Sequence, residues 1–515
     1  MSSNVMTRDV STKTSYLLAL LIPFCILMVH AFYYYPFFAD DAFISLRYAQ
    51  RLIEGKGLNW NDGEYVEGYS NLLWVLTTAL LGFFDIDLVA AGRAVGFVAS
   101  AAAMYSFSYY HMRRYSSSNS LFMTNLAFAL TAPVAIWMLG GLEAALTMSL
   151  LAWVYVLAHD VLEYGDKKKS LYCGILLGLV SISRPEGAIF TVMVAVSIFV
   201  VSGNRRWKRV PCLAQMCFIS FLFFASQLAF RLSYYGDWVA NTYYVKVAFT
   251  ESRLINGMMY CLKALASLLP ILLAISIKMD TLLKNPEYRE QKRSVCFLTL
   301  ICAMWIFLLV IAGGDIFPGY RHILLIVPAL ILMLMHSLDV IYANGKRLSN
   351  DIFYGYVLLC FLWLQVTFEE NQKARHEDWL WNTRELAQML KTEYGDKQPL
   401  VAITLAGIIP YYSGLPSVDM YGLNDAYMTK HRDEDSGYGK FGEGFIGHEL
   451  FNSKYIMSRK PDIIIFHAGN KPPLYSMGNE PDFIRYYESR KIKLPSYTAE
   501  IWVRKDSQKV QSARP

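Results

Sequence analysis

Apolar residues in this chain gather into long unbroken runs separated by short polar loops. Hydropathy places such runs near 15–38, 88–110, 120–139, 143–160, 171–183, 187–201, 210–232, 257–278, 294–312, 320–342 and 351–368. A helix of about 20 apolar residues crosses a hydrocarbon core of roughly 30 Å, so the pattern predicts about eleven transmembrane helices. The two runs flanking the turn Arg184-Pro185-Glu186-Gly187 are short, as steeply packed or partly re-entrant segments are. Between the first two spans lie an amphipathic stretch at 42–54 and an apolar one at 70–84, both read as interfacial helices on the outer face. The Gly, Asn and Asp residues of 55–70 suit turns between them. From Glu369 onward the pattern changes to helix (372–394), strand (399–405), helix (447–459) and strands (461–466, 496–504). The expected organisation is therefore a membrane domain over 1–368 and an α/β domain over 369–515.

Composition agrees: 55% of the 515 residues are hydrophobic and 15% aromatic, and the mean hydropathy is +0.29. The net charge of +6 does not form a patch for nucleic acid. The bases sit in short loops (111–114, 167–169, 205–209, 278–293, 346–347), which the positive-inside rule assigns to the cytoplasm. The opposite loops carry Asp40, Asp41, Glu67, Glu143, Glu186, Asp237 and Asp315. Eleven spans then place the N-terminus inside and the C-terminal third outside the cytoplasm. Counting 70–84 as a span would put Arg113 and Arg114 on the wrong side. All eight cysteines lie in apolar runs, so neither a disulfide framework nor a zinc site is expected. The first run reads as an uncleaved signal anchor. There is no Walker A sequence, no GxGxxG opening a helix and no HExxH.

The acids on the outer side carry the candidate chemistry. Charges near a bilayer are expensive, and several converging from separate loops point to a polar cavity. Asp40 and Asp41, directly after the first span, suit a general base, a nucleophile or a metal ligand, and equally a helix cap. Glu67, Tyr69 and Asn71 add an acid and hydrogen-bonding groups. Arg184, Lys246 and Arg321 are candidates to hold a phosphate through charge-assisted bonds. Asn241, Tyr243 and Lys246 combine amide, phenol and cation, a set suited to a sugar and its phosphate. Gly313-Gly314-Asp315 followed by Arg321-His322 lets backbone approach a ligand and then presents charge. A divalent metal is left open.

The segment DDAFISLRYAQRLIEGKGLNWNDGEYVEGYSNLLW at 40–74 resembles the GT-C superfamily of polyprenyl-phosphate-dependent glycosyltransferases, in the branch of the mycobacterial terminal arabinofuranosyltransferase. SRPEG at 183–187, NTYYVK at 241–246, GGD at 313–315 with Arg321, and YYSGLPSVDMYGLND at 411–425 extend the likeness over the chain. The resemblance implies a membrane enzyme that moves a sugar, arabinofuranose by this branch, from a polyprenyl-phosphate donor in the membrane lipid. The acceptor is a cell-envelope glycan or a protein such as pilin outside the cytoplasm. One or both of Asp40 and Asp41 are then the expected catalytic carboxylates. The runner-up is a GT-C transferase using mannose or glucose. The rival class is a lipid-linked sugar flippase, for which inverted repeats are expected and none is visible in the sequence.

Overall fold

The computed structural model describes residues 2–343, 347–377, 379–431, 448–467 and 471–510. The chain divides into two compact units, each built from discontinuous segments. One comprises Met1–Phe37, Gly92–Gln227 and Gly257–His376; the other comprises Phe38–Ala91, Leu228–Asn256 and Glu377–Pro515.

The first unit is helical. Among the described residues six helices are long and apolar enough to cross a membrane: Lys13–Tyr33, Leu88–Arg114, Ala144–Tyr164, Gly203–Tyr234, Pro286–Ala312 and Ile323–Ala343. Counting each of three bent pairs as one span gives up to nine. This is fewer than the eleven expected. The expected spans at 171–183 and 187–201 are the helices Lys167–Ser183 and Gly187–Val201, of 17 and 15 residues. At a rise of about 1.5 Å per residue the shorter reaches only about 23 Å.

The run at 120–139, read from hydropathy as one span, is a bent pair: Ser118–Leu130 and Ala132–Leu139 meet at 59°. Thr131 between them is extended, and Pro133 follows in the first turn of the second helix, where its missing N–H is tolerated. A second pair, Glu251–Ser267 and Leu269–Ser276, bends by 67°. One buried amide serves both breaks. Gln365 accepts the Ala132 N–H at 2.8 Å and donates to the Ser267 carbonyl at 2.6 Å, satisfying backbone groups that a break in an apolar environment would orphan.

In the second unit, the helix Asp40–Ile53 begins at the first acid, so both Asp40 and Asp41 lie in its first turn. The apolar stretch at 70–84 forms Leu72–Gly82, 11 residues and too short to span. The sheet has five strands: β1 (Val401–Ile403), β2 (Ser417–Asp419), β3 (Ile463–Ile465), β4 (Tyr487–Lys493) and β5 (Thr498–Arg504). Their order is β2-β1-β3-β5-β4. β1 runs parallel to β2 and β3, pairing Ala402 with Val418 and with Ile464. β5 is antiparallel to β3 and to β4. Three of these strands match the expected ones. β2 and β4 were not expected: β2 is Ser-Val-Asp, with no apolar run to mark it, and β4 is a polar edge strand, YESRKIK, with one buried side chain. Ala402, Val418, Met420, Phe451, Ile464 and Phe483 belong to the core beside the sheet. The expected helix at 372–394 is divided into Glu369–Arg375 and Trp379–Tyr394.

Candidate functional site

The segment after the first span is tied, residue by residue, to the loops around β1 and β2. Asp40 accepts the backbone N–H groups of Gly407 (3.1 Å) and Ile408 (2.9 Å). Arg47, buried against Trp60, donates to the carbonyls of Trp60 (2.9 Å), Leu415 (3.1 Å) and Pro410. Asn61 makes both amide bonds to the backbone of Ser417, accepting its N–H and donating to its carbonyl, as a neighbouring strand would. Tyr48 donates to the Val66 carbonyl at 2.7 Å, and Arg459 pairs with Glu64. Much of the polar content of 40–64 therefore holds this unit together.

Within this architecture the two acids have different surroundings. Burial pushes the Asp40 carboxyl up to about 7 against the pull of the Ile408 N–H, with the charge of Asp41 adding to the rise. Asp419 behaves similarly, pushed by burial to about 6 while Asn424 and Tyr421 N–H groups bond it. Glu377 is a further acid near Asp40 that sequence did not single out; burial pushes it to about 7. Asp41 instead meets a cation, with Lys246 Nζ 3.1 Å from its Oδ2. This is the most open ion pair among the site candidates: the two side chains are 36% and 25% exposed, against 12% and 4% for Arg231–Glu67.

Lys246 ends the helix Asn241–Lys246. At the other end, Asn241 donates to the carbonyls of Gly422 (2.8 Å) and Leu423 (2.9 Å), and its N–H reaches the Glu67 carbonyl. Tyr243 is half-exposed on the same helix. Glu67 is paired with Arg231, Tyr69 bonds Tyr235 at 3.2 Å, and Asn71 accepts from Ser45 at 3.0 Å. Asp40, Asp41, Glu67, Tyr69, Asn71, Asn241, Tyr243 and Lys246 all belong to this unit.

The remaining candidates form a separate network in the other unit. Arg184 pairs with Glu143 at 2.6 Å and with Glu186 at 2.7 Å. Arg321 grips Asp315 with two bonds of 3.0 Å and lies over Phe317 and Trp137. His322 stands between Glu186 and Asp315, 3.7 Å from each. Both guanidinium groups thus already hold carboxylates. Arg231 and Arg253 were missed by sequence reasoning, since a lone base in or beside an apolar run looks the same as a snorkelling residue, and Glu449 because a lone acid in a polar stretch reads as a solvated one. Among the described residues no three His, Cys, Asp or Glu side chains are grouped to hold a metal ion.

Residues 368–511 match a family model described as a domain of unknown function (DUF8728). By sequence, no curated protein matches the chain. In structure it is similar to ArnT from Cupriavidus metallidurans in the apo state, with TM-score 0.60 and 11% identity over 94% of this chain and 97% of that one. The same protein bound to undecaprenyl phosphate gives 0.59 and 11% over 97% and 99%. The arabinofuranosyltransferase AftD from mycobacteria aligns at 0.47 and 13% identity, over 95% of this chain and 40% of that one. The resemblance to the GT-C superfamily is thus borne out at the level of the fold: a mostly helical chain with, among the described residues, six helices long and apolar enough to cross a membrane, and a small C-terminal sheet.

Proposed function

We propose that this chain is a GT-C glycosyltransferase that takes a sugar from a polyprenyl-phosphate donor and passes it to a cell-envelope glycan or protein on the outer face of the bacterial inner membrane. The observation that carries the reading is the Asp41–Lys246 pair, a carboxylate and an ammonium held together at a part-exposed position. Asp41 takes the proton of the acceptor hydroxyl. The acceptor oxygen bonds to C1 of the sugar as the C1–O bond to phosphate breaks, and the electron pair leaves on the lipid phosphate. An ammonium has three donors, so Lys246 bonds a phosphate oxygen while keeping Asp41. Asp40 is the supporting member, its carboxyl already bonded to backbone. That ArnT, of the same fold, is seen with undecaprenyl phosphate supports a donor of this class. Arabinofuranose is the sugar that the sequence resemblance favours, and residues 369–515 form the outer domain.

The test is incubation of the purified protein with polyprenyl-phosphate arabinofuranose, mannose and glucose, with wild type and Asp41→Asn compared. Transfer from the arabinofuranose donor is expected, with kcat lowered about 10²–10⁴-fold in the variant and undecaprenyl-phosphate binding retained. Folded wild type that transfers none of the three sugars, or an Asp41→Asn protein of normal turnover, would overturn the reading. A phosphatase reporter fused after Pro515 checks the orientation: it should be active, and an inactive but stable fusion would reverse the topology.

A further inference from the structure

Lys246 ends a helix of only six residues, too short to be stable alone. Its orientation must come from what holds its two ends. Asn241 anchors the start through Gly422, Leu423 and Thr429. At the other end, Arg253 Nη1 donates to the Lys246 carbonyl, one of the backbone acceptors that a helix terminus leaves without an intrahelical partner. The Arg253 Nη2 is 2.6 Å from Glu449 Oε1, and the two side chains are only 2% and 1% exposed.

Burying an ion pair carries a desolvation penalty that its mutual attraction often fails to offset, and an apolar pair of similar volume commonly serves stability as well. What an apolar pair cannot do is donate to a carbonyl. The guanidinium is planar, and its fork presents two donors in a fixed relation, so fixing one on Glu449 aims the other. We propose that Arg253 is a positioning residue for donor phosphate. Clamped by Glu449, it fixes the end of the Asn241–Lys246 helix and so sets where the Lys246 ammonium stands. This rests on the reading of Lys246 given above.

The experiment measures undecaprenyl-phosphate binding and thermal unfolding of the full chain for Lys246→Ala, Arg253→Met, Arg253→Lys, the double variant Lys246→Ala/Arg253→Met, and the exchange Arg253→Glu/Glu449→Arg. Arg253→Met is expected to weaken binding about tenfold, the scale of one charge-assisted contact. The loss should vanish in the Lys246→Ala background, because the arginine acts through that ammonium. The exchange should recover unfolding temperature without recovering binding, since the Lys246 carbonyl then lacks its donor. Arg253→Lys keeps the charge without the fork and should bind weakly while folded, which covers the case in which Arg253→Met does not fold. Wild-type affinity in Arg253→Lys, additive losses in the double variant, or recovery of both properties in the exchange would each overturn the proposal. Wild-type affinity in Lys246→Ala would instead remove the phosphate reading beneath it.

Discussion

The carboxylate of Asp40 and the backbone of Gly407 interlock. Asp40 Oδ2 accepts the Gly407 N–H at 3.1 Å, while a Cβ on Gly407 would stand 2.7 Å from Asp40 Oδ1 and closer still to its carbonyl oxygen. Gly407 has φ of −91°, so the demand is for space and not for a left-handed backbone. Gly407→Ala should therefore lower stability by about 1–3 kcal/mol, the usual range for overpacking. Thermal unfolding in detergent checks this, and an unchanged midpoint would mean the loop yields without cost.

Asp40 also gives stability a pH dependence of definite sign. Its carboxyl is pushed by burial to about 7 when folded, above the unfolded value of 3.8. A raised pKa means the folded state binds the proton more tightly, so the contribution is complete below 3.8 and is lost as pH rises through 7. Asp419, raised to about 6, acts in the same direction. Wild type should lose stability relative to Asp40→Asn between pH 5 and 8. A difference in unfolding temperature that stays flat over that range would show that Asp40 does not titrate there.

Arg321 and Asp315 make a two-bond pair with side chains only 11% and 6% exposed. Removing one partner of such a pair strands a buried charge, at a cost of about 3–5 kcal/mol. Arg321→Ala should accordingly show a large fall in unfolding temperature, and Asp315→Asn in the same chain should restore part of it. An Arg321→Ala protein of normal stability but weakened donor binding would return Arg321 to the phosphate.

Gln365 offers a test inside the helical unit. Its amide meets both Ala132 N–H and the Ser267 carbonyl, and the side chain is fully buried. Gln365→Leu should cost about 2–6 kcal/mol, since each stranded buried group costs about 1–3 kcal/mol. Gln365→Glu should be milder, because a carboxyl still accepts from Ala132. Equal stability in both would mean that other groups satisfy the breaks.

Much of the fold was legible because its main signal is local. A run such as 294–312 needs only its own apolar length to announce a span, and 399–405 and 461–466 announce buried strands in the same way. Breaks were less legible: the Ala132 N–H beside the bend is met by Gln365, 233 residues away in the chain. The polar edge strand β4 has no apolar run to mark it. In the candidate site, residue types were readable and pairings were not. Asp40 and Asp41 are adjacent and chemically identical, yet one meets Gly407 and Ile408 and the other Lys246. Arg184 and Arg321 read as free cations for a phosphate until Glu143, Glu186 and Asp315 are seen beside them.

The bonds from 40–61 to 407–417 also set a schedule for biosynthesis. Asp40 meets a partner 367 residues later, Arg47 one 363 later and Asn61 one 356 later. At roughly 5–20 residues per second, the ribosome supplies those partners some tens of seconds after the first segment emerges. Until then the Arg47 guanidinium has no carbonyls from Pro410 and Leu415 to receive its protons. A nascent chain halted before residue 407 can insert its helices but cannot close this unit. Synthesis through residue 417 is thus built into the lock beside Asp41, and a product truncated before residue 407 carries an open one.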